Sequence, residues 1–340
     1  MSNAKLLKDL FQSFSLGDDE AFKSTARKII NVEKSKKHHV LAADLEKFLE
    51  SYSDKTGDPV VTLSMMMKSI PKDSDGTADL IEIVTPKISR SEVVYSDSNA
   101  KVLEDFIVEQ KSHHLLRSHA LKPNSRLLLC GPPGCGKSIS AEMLASELGL
   151  PLVIVRIDSV VSSFLGETAS NLRKIFDFIG KNRVVAFFDE FDALAKERSN
   201  RDEHGELKRV VNSFLQMMDG YKGNSVIVAA TNHEGDLDRA LWRRFDEVLK
   251  FDNPTTNQIR DLLEIKLKNF LHDIPLKSNE FILQFEGFSY ADIERIVYSS
   301  AKKTILSNYA KINRQTMEEV TYKEMKRKDF VKDMVRAGGE

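Results

Sequence analysis

The sequence predicts an α/β protein built on a five-stranded parallel sheet, with a small helical bundle before it and a helical domain after it. Three observations carry this. Five short runs rich in Val, Ile, Leu and Phe occur at residues 126–130, 151–157, 183–189, 225–231 and 247–251. Helical patterns separate most of them, and buried strands alternating with helices make a parallel sheet covered on both faces. The two ends of the chain instead repeat apolar residues at helical spacing.

Taken in order, residues 1–52 read as three short amphipathic helices. Leu6, Leu7, Leu10, Phe11 and Phe14 share one face, as do Phe22, Ala26, Ile29 and Ile30, and then Leu41, Leu45, Phe48, Leu49 and Tyr52. "SLGDDE" separates the first two, since Gly17 ends a helix and acids suit the next N-terminus. The bundle reads equally as a cap on the main domain or as a docking module. Residues 53–90 are rich in turn residues and three prolines interrupt any helix, so they read as a linker with a short strand at "LIEIV". Residues 91–253 hold the alternating strands and helices. Residues 254–340 are mostly helical, because the strand-like runs stop after Pro254.

Bulk composition narrows the function. The chain has 340 residues, 41% hydrophobic and 30% charged, enough for two or three domains with real cores. A formal charge of -1 argues against a chain built mainly to bind nucleic acid. Two cysteines, Cys130 and Cys135, exclude a disulfide framework and point to a reducing compartment. No apolar run reaches the roughly 18–20 residues that cross a bilayer, and the N-terminus lacks the apolar segment of a secretion signal. The expectation is a cytoplasmic protein with no membrane contact.

The chemistry begins at "GPPGCGKS", residues 131–138, between the strand "RLLLC" and a helical run. It fits a phosphate-binding loop in its required strand–loop–helix setting. Gly131, Gly134 and Gly136 let the backbone wrap a phosphate chain, and the exposed N–H groups favour an anion. Lys137 reaches the β- and γ-phosphates, and the Ser138 hydroxyl ligates Mg²⁺. A second signal, "VVAFFDEFDAL", ends a buried strand in Asp189-Glu190 about one strand–helix unit later. Asp189 there holds Mg²⁺ through water, and Glu190 orients and deprotonates the attacking water. Asn232 follows another strand, "VIVAATN", where its amide helps place that water. Arg243 and Arg244 follow in "LDRALWRRFDEV".

As a set these residues resemble the AAA+ ATPases. The similarity spans roughly residues 91–300 and is greatest to the branch of spastin, katanin, the proteasomal ATPases and the membrane AAA proteases, in the manner of a stand-alone bacterial-type member. It implies a P-loop NTPase fold with a helical lid, ATP and Mg²⁺ as cofactors, and a homo-oligomer working as a hexameric ring. The loop Gly131, Pro132, Pro133, Gly134, Cys135, Gly136, Lys137 and Ser138, with Ile139 after it, then becomes the Walker A set. "FFDE" becomes Walker B and Asn232 sensor 1. Arg243 and Arg244 match arginine fingers acting on ATP held by the neighbouring subunit. "QMMDGY" resembles a segment relaying nucleotide state between subunits, through Asp219 and Tyr221. "GFSYADIERIV" resembles the lid helix closing over adenine and ribose, through Tyr290 and Ala291; Ala291 stands where other branches carry a sensor-2 arginine. "FLG", Phe164, Leu165 and Gly166, sits where the family places a pore loop that grips an extended peptide. An isolated Phe-Leu-Gly would read as a loop tucked onto the core. "RDEHGELKR", residues 201–209, resembles a second pore loop, with His204 and Glu206, or is a solvated charged loop.

The chain departs from the family in two places. Its first 52 residues are not recognisable as an AAA+ substrate module, and no HExxH zinc-protease motif follows the ATPase. The resemblance therefore implies a motor that threads or remodels protein substrates, with a separate protease as a partner. A nucleotide-switched ATPase that loads a partner without threading is the alternative. A nucleic-acid remodeller is the third, resting on "YKEMKRKDFVKDMVR" at residues 322–336, where Glu324, Asp329 and Asp333 interleave with the cations and favour a solvated helix face.

Overall fold

The computed structural model describes residues 3–15, 19–36, 38, 41–46, 49, 63–160, 165–191, 204–232 and 242–337. Contacts divide the chain into two units, Met1–Val60 and Val61–Glu340. In the first, α1 (Asn3–Ser15) and α2 (Asp19–Ser35) pack together and residues 41–46 are helical. Among the described residues, Leu6, Ile30 and Ala42 are its buried apolar side chains.

The second unit starts with α3 (Leu63–Lys68) and β1 (Ile81–Val84). Then come α4 (Asp97–Lys111), α5 (His113–Ser118), β2 (Arg126–Cys130), α6 (Lys137–Leu148), β3 (Leu152–Val155) and α7 (Ile157–Val160). The sheet closes with α8 (Leu165–Lys181), β4 (Val185–Phe188), α9 (His204–Gly220), β5 (Val226–Thr231) and β6 (Glu247–Lys250). The strand order is β1-β3-β4-β5-β2-β6. The five expected strands are parallel, whereas β1 pairs antiparallel with β3, Ile81 opposite Val155.

Strand periodicity builds the two cores. Leu128, Cys130, Val153, Val155, Ala186, Phe188, Ile227 and Ala229 face α8 and α9. Their neighbours Leu127, Leu129, Leu152, Val185, Phe187, Val226, Val228 and Ala230 face α4 and α6. Successive side chains point to opposite faces, so a strand apolar at every position is covered twice.

The strand expected at "LIEIV" is β1, which adds a sixth, antiparallel strand beside the five parallel ones, and the described residues around it pack onto the sheet. Met66, Leu80 and Ile81 join the first core, and the last two are essentially fully buried. Burying one such side chain is worth about 1.5–3 kcal/mol, which outweighs the turn-rich composition around it.

Four helices form the last part: α10 (Thr256–Leu267), α11 (Asn279–Leu283), α12 (Tyr290–Leu306) and α13 (Arg314–Ala337). They enclose a third core around Leu263, Phe281, Phe285, Ile293 and Val297. Thr255 with Gln258, and Ser289 with Asp292, form capping boxes that start α10 and α12. Among the described residues no helix is long and apolar enough to cross a membrane.

Candidate active site

Because β2, β4 and β5 are parallel neighbours, their carboxyl ends lie on one edge of the sheet. That edge gathers the loop after Cys130, the acids after Phe188 and Asn232 after Thr231. The connections leaving the adjacent strands β2 and β5 also run in opposite directions across the sheet, from β2 toward β3 and from β5 toward β6. Ligands of open α/β sheets bind at such points.

The loop depends on its glycines. A Cβ on Gly131 (φ 142°) would lie 2.0 Å from the Phe251 carbonyl oxygen, because the Phe251 N–H donates to Cys130 O at 2.7 Å and draws that strand end inward. A Cβ on Gly134 (φ 76°) would lie 2.7 Å from Ser289 Oγ. The Ala291 N–H donates to Gly134 O at 3.1 Å. The phosphate-type loop therefore touches the first turn of α12 directly.

Lys137 is buried, and its ammonium donates to Gly131 O (2.7 Å), Pro132 O (2.9 Å) and Asn232 Oδ1 (2.7 Å). A buried ammonium needs its donors matched, and these bonds join the loop to the end of β5. Ser138 Oγ donates to Asp189 Oδ2 at 3.0 Å, and the Glu190 N–H donates to Asp189 Oδ1 at 2.9 Å. Glu190 has a left-handed backbone, φ 49°, while Phe191 is fully buried and its N–H bonds Ala230 O at 2.8 Å. Phe191 anchors the chain, and the unusual turn at Glu190 keeps its carboxylate exposed at the cavity.

A cavity of about 340 Å³ is lined by Pro133, Gly134, Gly136, Lys137, Ser138 and Ile139, by Asp189, Glu190 and Asn232, and by Tyr290, Ala291 and Glu294 of α12. Its size suits a small ligand. Lys137 supplies positive charge for an anion at one end, and the Tyr290 ring supplies an apolar surface at the other. Burial, and then the neighbouring Cys135, push the Tyr290 phenol up to about 12, so it stays neutral. Burial likewise pushes the Cys135 thiol up; the side chain is buried, with Sγ 3.5 Å from Asn253 Oδ1, and has none of the exposed thiolate character of a nucleophile. Ser138 and Asp189 offer adjacent hard oxygens of the kind Mg²⁺ takes. Among the described residues no group of three His, Cys, Asp or Glu could hold a metal by itself. A cation here would keep water and share phosphate oxygens, as Mg²⁺ does.

Ser289, beside Gly134, and Glu294, in the cavity lining, were not among the expected site residues. Glu294 lines the cavity four residues after Tyr290, one helical turn along the same face, and pairs with Lys266 at 2.6 Å. That spacing was the available signal. Ser289 had its own signal as the cap of α12, whereas its approach to Gly134 had none.

The other expected residues lie elsewhere. Arg244 pairs with Asp219 at 3.3 Å, and its carbonyl accepts from Arg126 Nη1 at 3.4 Å. Arg243 is exposed. Buried Phe245 and half-buried Trp242 anchor the arginine pair on the first core. Tyr221 Oη donates to Ile179 O and accepts from the Ser225 N–H, both at 3.0 Å. It thus ties the end of α8 to the start of β5 within its own chain. Phe164 lies outside the described residues. Leu165 and Gly166 are helical, in the first turn of α8, where a loop was expected. His204 and Glu206 likewise begin α9, and residues 201–203 lie outside the described residues.

Comparison with known proteins agrees with this geometry. Residues 127–253 match the family described as "ATPase family associated with various cellular activities (AAA)". An uncharacterized AAA family ATPase, y4kL, of Sinorhizobium fredii is 40% identical over 96% of this chain and 97% of its own length. The ATP-dependent zinc metalloprotease FtsH of Bacillus subtilis is 33% identical over 57% of this chain and 32% of its own. A putative 26S proteasome regulatory subunit homolog of Methanocaldococcus jannaschii is 29% identical over 56% and 53%. This chain therefore spans nearly all of the first relative, about a third of the second and about half of the third.

Proposed function

We propose a protein-remodelling motor: this chain belongs to the AAA family of ATPases and hydrolyses ATP, and it works as a ring that draws polypeptide through a central pore. The loop amides and Lys137 hold the phosphates, with Lys137 exchanging acceptors such as Asn232 Oδ1 for phosphate oxygens. Ser138 and, through water, Asp189 would hold Mg²⁺, which would supply charge neutralisation at the phosphates. Glu190 takes the proton of the attacking water, and Asn232 orients that water. Tyr290, Ala291 and Glu294 face the base and ribose. The Gly134–Ala291 bond lets the lid follow the loop.

The place of Arg243 and Arg244 carries the ring. The described lining of the cavity contains Lys137 and no arginine, while Arg244 is held on Asp219. An arginine acting on the phosphates is best supplied by a second copy, with Asp219 and Tyr221 relaying nucleotide state across that boundary. The similarity to a proteasome regulatory subunit homolog and to FtsH supports protein substrates, and the first of these supports a separate protease as their receiver.

Phe164 tests the threading. Phe164→Ala should keep basal ATPase and circular dichroism unchanged while losing unfolding of a tagged fluorescent substrate. Undiminished unfolding would remove the pore role; loss of the folded state would place Phe164 in the core.

A further inference from the structure

A second, larger cavity of about 610 Å³ opens at the opposite edge of the sheet. It is lined at Arg126, Arg183, Asn224 and Asp246, which precede or begin β2, β4, β5 and β6. The nucleotide cavity lies beyond the carboxyl ends of the same sheet. A five-residue strand separates the two edges by roughly 17 Å at about 3.3 Å per residue, so neither cavity extends the other.

The lining is cationic. Arg117, Lys122, Arg126, Arg183 and Lys222 all face it, and among the described residues Asp246 is its one carboxylate. Asp246 is already engaged, since its Oδ2 accepts the N–H groups of Ser125 (2.8 Å) and Arg126 (3.0 Å). The guanidinium of Arg126 donates to neutral carbonyls, those of Met218 (2.5 Å) and Arg244 (3.4 Å). Arg117 donates to the side-chain oxygen of Asn224. Among the described residues, none of Arg117, Lys122, Arg126 and Lys222 forms an ion pair with a carboxylate. His113 also lines the cavity. Its Nδ1 lies 3.4 Å from Arg183 Nη2, and burial, then Arg183, His114 and Arg117, hold its pKa below the usual histidine range.

Like charges gathered around one concavity repel unless an anion sits between them. Arginine forks match oxyanions with paired hydrogen bonds, and the volume is that of small-ligand sites rather than of a flat interface. We propose that this cavity binds a small, multiply charged oxyanion, at a site separate from the ATP site. Two loops form its rim, residues 120–125 and 222–224.

The test uses the full chain carrying Lys137→Ala, which removes phosphate binding at the ATP site. Titration calorimetry at about 0.15 M salt, where surface charges more than ~8 Å apart are screened, is run with inorganic tripolyphosphate and separately with citrate. Saturable binding of at least one is expected. The tripolyphosphate and citrate arms tell a phosphate ligand from a polycarboxylate. Adding Arg117→Ala and Lys222→Ala should weaken it about tenfold or more, as loss of charge-assisted bonds does. Lys222→Ala alone, at an exposed position, should weaken it measurably and keeps the test standing if the Arg117 variant does not fold. Absence of saturable binding by both anions, or binding unchanged in the folded charge variants, overturns the proposal.

Discussion

Glu190 combines a catalytic assignment with a strained backbone, so two substitutions there pull turnover and stability apart. At φ 49° a residue with a side chain costs roughly 1–2 kcal/mol relative to a right-handed conformation. Glycine avoids that cost but loses roughly 0.5–1 kcal/mol more chain entropy on folding. Glu190→Gly should therefore be at least as stable as the parent, by up to about 1.5 kcal/mol. Glu190→Gln keeps the strain and should match the parent in stability. Both lose the base, and turnover should fall about 10²-fold or more. Urea denaturation and steady-state ATPase on the three proteins give both readings. Parental turnover in either variant would remove Glu190 as the base. A Glu190→Gly protein less stable than Glu190→Gln would refute the reading of that turn as strained.

Arg244→Ala and Glu190→Gln should each be inactive alone, yet mixing them should restore measurable ATPase, because some sites then combine an intact Glu190 with a neighbour's arginine; no recovery among freely exchanging, fluorophore-labelled subunits would exclude action across the boundary. Tyr221→Phe removes the hydroxyl that accepts from the fully buried Ser225 N–H, while Ile179 O keeps Ser225 Oγ at 2.8 Å. One orphaned donor costs about 1–3 kcal/mol, and an unchanged denaturation midpoint would contradict that bond. Burial would raise the Asp292 pKa, but the Ser289 hydroxyl and N–H, then Lys328 and Arg295, bring it below its ordinary value. Its ionised form thus stabilises the fold above the unfolded carboxylate value of about 3.9, and that contribution is lost as pH falls through the lower folded value. Asp292→Asn should be the less stable protein at pH 7, with the gap in melting temperature closing in acid; a gap independent of pH would assign the effect to packing.

Residues 131–138, 189–190 and 232 were legible in the sequence because their signals are local. A strand periodicity, a glycine loop and a helix start follow one another within a few residues, and each constrains the backbone around it. The packing of residues 63–90 beyond the strand at "LIEIV" was less legible, for the complementary reason. Turn residues dominate their composition, and only pairing with β3 shows that Leu80 and Ile81 are core. The Asp219–Arg244 pair spans 25 residues of sequence, and nothing local specifies it.

The sequence by itself determined that buried strands alternate with helices, that the loop after β2 suits phosphate, and that acids end β4. Periodicity and backbone sterics act over one or two turns of chain and need no partner. The tertiary structure decided which strands are neighbours. Setting β5 beside β2 brings Asn232 to Lys137; packing α12 against the loop brings Ser289 and Ala291 onto Gly134. It also set the left-handed turn at Glu190, through the anchoring of Phe191 in the core. These contacts join residues from about 95 to more than 150 positions apart, and their choice rests on how whole faces bury together, which no short window of sequence contains.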